Sequence, residues 1–136
     1  MKISNVLLGM LSMVLILSCS SDDDGSNGNN PSTRDLLTAD TWYQESFTPG
    51  NFSACEKNTS FKFNTDNTIM VESYDDGSGT CESQGIVEST YTLNDLTITL
   101  ILGGDTIVAT INSISETMLS VTDDEGSTII FDKTQG

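Results

Sequence analysis

Chemistry in this chain is limited first by what it lacks, because it contains no histidine. Without an imidazole, neither a Ser-His-Asp nor a Cys-His nucleophile can be assembled. Three cysteines are present, Cys19, Cys55 and Cys81, and none forms a Cys-x-x-Cys. That spacing argues against redox exchange and zinc ligation. The carboxylate pairs Asp75-Asp76 and Asp123-Asp124 have the right type for acid–base work. Such work needs partly buried, pKa-shifting surroundings, and both pairs sit in polar clusters beside glycine, where solvated turns are expected. The acidic runs Asp22-Asp23-Asp24-Gly25, Asp75-Asp76-Gly77 and Asp123-Asp124-Glu125-Gly126 lack the alternating Asp-x-Asp-x-Asp-Gly spacing that points several oxygens at one calcium ion. No catalytic group, metal or cofactor is therefore expected. What remains is a set of aromatics, Trp42, Phe61, Phe63, Tyr91 and Phe131. They either line a cavity for a small apolar molecule or fill an interior as core, since interiors pack densely by default. Tyr91 is the open case, because a buried hydroxyl needs a partner, whether protein or ligand.

Charge narrows the partners. The 136 residues carry a formal charge of −15, which repels nucleic acid and bare anionic headgroups. The N-terminus tells a different story about membranes. Lys2 precedes an apolar run over residues 6–17, broken only by Gly9 and Ser12, and small, polar Ser18 precedes Cys19. The run is too short to cross a bilayer, which takes about 20 residues, and has the length of a cleaved signal's apolar region. Ile16-Leu17-Ser18-Cys19 resembles the lipobox of bacterial lipoproteins. The resemblance implies cleavage before Cys19, acylation of Cys19, and a membrane attachment that more than one acyl chain makes durable. Residues 1–18 are then a signal peptide, 19–34 an acylated cysteine with a flexible acidic tether, and 35–136 a single folded domain. Residues 21–32 hold only Ser, Asp, Gly, Asn and Pro, a composition that cannot bury a core. Asp22-Asp23-Asp24 resembles the Bacteroidetes signal that sends lipoproteins to the outer face of the outer membrane, although a plain soluble linker has the same composition. With Cys19 acylated, Cys55 and Cys81 form an even pair in an oxidising compartment, so a disulfide is expected; the alternative is two free buried thiols.

The elements that must hold these residues are strands. Turn clusters recur every 8–12 residues after Arg34, a spacing typical of sandwiches and barrels. The alternation predicts strands over 41–47, 59–64, 68–74, 87–93, 96–102, 105–112, 117–122 and 128–133, after one helical turn at Asp35-Leu36-Leu37. Leu96, Ile98, Leu100 and Leu102 are expected on one face. Residues 75–84 read as a polar loop carrying Cys81, and Asn94-Asp95 and Gly103-Gly104 as two-residue turns. Eight antiparallel strands with short connections are best closed as an up-and-down barrel, which leaves no exposed edge. A barrel of that size is either filled by side chains or holds one small ligand.

A family resemblance appears at this point. Leu37, Trp42, Cys55, the hairpin Phe61-Lys62-Phe63-Asn64-Thr65-Asp66-Asn67-Thr68, Cys81, Gly85, Tyr91-Thr92-Leu93, Leu96, Ile114-Ser115-Glu116-Thr117-Met118-Leu119 and Phe131-Asp132-Lys133 occur in that order. The order is similar to that of the small lipocalin-like domain of Bacteroidetes lipoproteins, over roughly residues 35–136. The resemblance implies an eight-stranded barrel; the Arg that often packs on the opening Trp near the last strand in such barrels has no clear counterpart here, and Lys133 is the nearest candidate. The resemblance implies a fold and an address more than an activity; the lipobox, the acidic tether and the eight-strand pattern together lead to the expectation of a monomeric binding protein whose partner is a small apolar molecule or an envelope protein or glycan, held at the outer membrane and displayed at the cell surface or otherwise on the periplasmic face. The alternative is an accessory envelope protein with a filled barrel and no ligand. Asp105-Thr106-Ile107 fits the short Asp-Thr-aliphatic pattern of Bacteroidetes O-glycosylation, a pattern also frequent by chance.

Overall fold

A computed structural model describes residues 30–136. The signal peptide, Cys19 and most of the tether expected above lie outside the described residues. Eight antiparallel strands follow one another around a closed barrel: β1 (Trp42–Thr48), β2 (Ser60–Phe63), β3 (Thr68–Asp75), β4 (Glu82–Asn94), β5 (Thr97–Leu102), β6 (Asp105–Ile114), β7 (Met118–Asp123) and β8 (Thr128–Asp132), with β8 pairing back onto β1. Period-2 alternation makes this possible, because every second side chain of a strand points inward. Phe61 and Phe63, Ile98 and Leu100, and Leu119 and Val121 supply that inner face, as the sequence predicts.

One helix precedes the barrel. Thr33 and Arg34, expected at the tether's end, form the first turn of α1 (Thr33–Thr38) instead. Ser32 caps it: the Asp35 amide donates to the Ser32 hydroxyl, while the Ser32 amide and hydroxyl donate to the Asp35 carboxylate. Those bonds hold the Asp35 carboxyl below its ordinary pKa, the Ser32 side chain contributing most. A helix of six residues is too short to stand alone in water. Leu37 docks it, fully buried in the barrel core.

Most strand boundaries shift by a residue or two, and two of the differences reshape the barrel locally. Asn94 pairs directly with Thr97, so the hairpin turn is Asp95-Leu96 rather than Asn94-Asp95. Asp95 takes the positive φ of 53°, and Leu96, expected inward, is displaced into the turn with 47 % exposure. The polar loop expected over 75–84 is shorter, because β4 already starts at Glu82. There, Tyr74 pairs with Ser83 and Glu72 with Ile86, leaving an extra residue on β4. Gly85 absorbs this bulge at a φ of 92°, where a β-carbon would be strained.

Candidate functional site

The barrel has two unlike ends. At one end lie α1, the β2–β3 and β4–β5 turns and the residues after β8, and here the polar atoms of the buried Trp42 and Tyr91 side chains are tied to protein. Trp42 is fully buried and its indole donates to the Leu37 carbonyl at 2.9 Å. Lys133 lies over the Trp42 ring with its amine 3.3 Å from the centroid, so a lysine takes the place for which an arginine is the family expectation. That amine is buried and has no hydrogen-bond partner among the described residues. Burial pushes its pKa below the ordinary lysine value, partly offset by the Asp40 carboxylate. The ring's electron-rich face is the compensating interaction for the charge.

Tyr91 belongs to the same end. Its ring meets Phe63 edge-on at 5.0 Å. Its hydroxyl donates to the Asn64 carbonyl at 2.9 Å and accepts from Arg34 Nη1 at 3.2 Å. Arg34 Nη2 donates onward to Asn67 Oδ1, in the β2–β3 turn. Burial raises the Tyr91 pKa, the Arg34 charge opposing and Asp66 adding to the shift. The partner question is thus answered within the protein: of its two expected roles Tyr91 takes that of core, and it is not among the residues lining the cavity. Arg34 is the functional neighbour that the sequence did not point to.

At the other end the interior opens. A cavity of about 280 Å³ is lined by twelve apolar side chains and a single carboxylate. Of the aromatics expected to form either cavity or core, Trp42, Phe61, Phe63 and Phe131 line it. Phe61 and Phe131 form one wall, edge to face at 5.2 Å, and Trp42 forms the floor. Toward the mouth the lining becomes exposed: Ile107 is 36 % accessible. Val87 faces the interior side of β4 yet is 50 % exposed. The reason is local: β4 pairs with β5 only from Tyr91↔Leu100 to Asn94↔Thr97, and beyond Tyr91 it pairs with β3 alone.

The mouth is stapled. Cys55, in the β1–β2 connection, is bonded to Cys81, just before β4, with Cα atoms 5.4 Å apart. The pair encloses a separation of 26 residues, worth about 3–4 kcal/mol in the chain-entropy picture. Within the β1–β2 connection, Phe52 stacks on Phe47 at 4.7 Å.

The single carboxylate is Asp123. The acidic run reads as a solvated turn with Asp124, but β7 continues through Asp123. The inward series Leu119, Val121 simply extends by one step. Thr106, in the candidate glycosylation pattern, is exposed at the start of β6 and pairs with Ile101.

Comparisons with known proteins agree with this geometry. The family model described as a lipocalin-like domain matches residues 38–121. No curated protein matches the sequence. Among solved structures, a lipocalin-like protein from Bacteroides uniformis superimposes with a TM-score of 0.56 at 13% identity, covering 72% of this chain and 99% of the other. An uncharacterized protein from Bacteroides eggerthii gives 0.54 at 12% identity, over 70% and 98% of the two chains. At such identities these likenesses speak to fold.

Proposed function

The chain belongs to the lipocalin-like domain family, and on that premise we propose that its barrel is a non-enzymatic receptacle for one small apolar molecule. The observation that carries this reading is the cavity: about 280 Å³, open at one end and almost wholly apolar. An engineered apolar cavity of about 150 Å³ takes up benzene, so a bicyclic aromatic or a short aliphatic chain is the matching size. The alternative of a filled barrel accounts for the Tyr91 end but leaves the space above Trp42 unexplained.

The test is displacement of a neutral fluorescent naphthalene probe from the purified domain, together with native mass spectrometry for a co-purified apolar molecule. Ala109 lines the cavity, so Ala109→Phe should fill part of the space and abolish probe binding while the fold is kept. Equal probe binding by the wild-type and Ala109→Phe proteins, or none by the wild type, would refute the reading.

We also propose that the chain is a lipoprotein, acylated at Cys19 and held at the outer membrane with the domain displayed on the cell surface. The lipobox-like Ile16-Leu17-Ser18-Cys19, the acidic Asp22-Asp23-Asp24 and the disulfide support this reading. Cys19→Ala should release the protein from the membrane fraction, and protease shaving of intact cells should remove the domain. Unchanged fractionation would sink the anchor, and full protection would sink the surface display.

A further inference from the structure

We infer that the ligand carries a cationic or hydrogen-bond-donating head, and that Asp123 receives it at the mouth of the cavity. This rests on the cavity being a binding site, as proposed above, and adds the polarity of what binds there.

Asp123 is the one polar side chain among the residues lining the cavity. Its position is set by the strand: Leu119 and Val121 are buried and face inward, and Asp123 is the next residue in that series. Its cross-strand partner is Ala109, whose small side chain leaves the space beside the carboxylate open. The turn after β7 then fixes the group. Oδ1 accepts from the Glu125 amide at 3.0 Å and from the Ser127 amide at 2.7 Å, and the backbone closes with Asp123 N donating to the Ser127 carbonyl at 2.9 Å. Oδ2 accepts no hydrogen bond among the described residues, and no cation there pairs with Asp123. One oxygen therefore locks the carboxylate in place and the other is left for a donor, beside an apolar wall.

A carboxylate in this setting discriminates by sign. An ammonium or hydroxyl head meets an acceptor that is already oriented, so little ordering is lost on binding. A carboxylate head meets a like charge beside an apolar wall and is disfavoured. Free fatty acids and other anionic amphiphiles are thus excluded as preferred ligands, and amines or alcohols on an apolar body are selected.

The experiment uses a matched series that fits the cavity: 1-naphthylmethylamine, 1-naphthylmethanol and 1-naphthoate at neutral pH, titrated into the wild-type, Asp123→Asn and Asp124→Asn proteins. Asn keeps the shape and an acceptor for the turn, so Asp123→Asn should fold, which its thermal midpoint verifies. Asp124 is exposed, and its variant removes the same charge from the same turn without touching the cavity. In the wild type the amine should bind about tenfold tighter than the alcohol, and the naphthoate about tenfold weaker. The spread should collapse to about threefold or less in Asp123→Asn and persist in Asp124→Asn. Equal binding of the three in the wild type, or the same collapse in both variants, overturns the inference. Should Asp123→Asn not fold, the order of affinities in the wild type and Asp124→Asn decides alone. Failure of all three compounds to bind the wild type overturns the cavity reading itself.

Discussion

The closed end of this barrel and its open end are built on opposite rules. At the closed end, two aromatic side chains are drawn in with their polar atoms bonded: Trp42 finds the Leu37 carbonyl, and Tyr91 joins Asn64 to Arg34. At the open end the wall is apolar, the strands part above Tyr91, and the loops are held covalently by Cys55–Cys81. The contrast teaches where stability and recognition are located. One end is tied down by the hydrogen bonds of Trp42, Tyr91 and Arg34, with the Lys133 amine seated on the Trp42 ring instead. The other can receive a molecule because its interior is left unfilled and its rim is fixed by a crosslink rather than by packing.

The largest expected effect breaks the closed end. Trp42→Ala removes the floor, the indole hydrogen bond and the ring under Lys133, and should cost about 3–5 kcal/mol in urea denaturation. That is a large share of the stability of a domain this size. Next comes the open end. The double variant Cys55→Ser/Cys81→Ser should lose about 3–4 kcal/mol. The distribution of that loss sharpens the contrast: amide exchange should rise in the loops around residues 49–58 and 76–81, with Trp42 and Tyr91 still protected. Uniform deprotection would show that the two ends are not independent. The smallest effect probes the polar network. Tyr91→Phe leaves the ring packed on Phe63 but removes the hydroxyl between Asn64 and Arg34, and should cost about 1–2 kcal/mol. Probe affinity should stay unchanged, because Tyr91 lies outside the cavity; a large drop in affinity would return it to the site.

Much of this architecture is legible in the residues. Strand alternation over Ile98 and Leu100, or Leu119 and Val121, has one physical cause and is read directly. The Cys55–Cys81 pair follows from parity once Cys19 is assigned elsewhere. Other features leave little local signal. Residues 82–85 are exposed, so the first part of β4 has no hydrophobic period to betray it. Leu96 fits the period of β5, but the hairpin's register and the positive φ of Asp95 place it in the turn. The Tyr91 partner Arg34 lies 57 residues away in sequence, a distance over which pattern says nothing. Asp123 is the instructive miss. Its spacing from Leu119 and Val121 marks it as inward, but a run of acidic residues ending in glycine reads first as a solvated turn.

The position of α1 has a consequence for how the molecule is presented. The helix lies across the closed end, so the chain enters the domain there, at the pole opposite the mouth. A barrel fastened through its N-terminal segment is a cup standing on its base. Under the anchoring proposed at Cys19, its opening would lie at the pole farthest from the point of attachment.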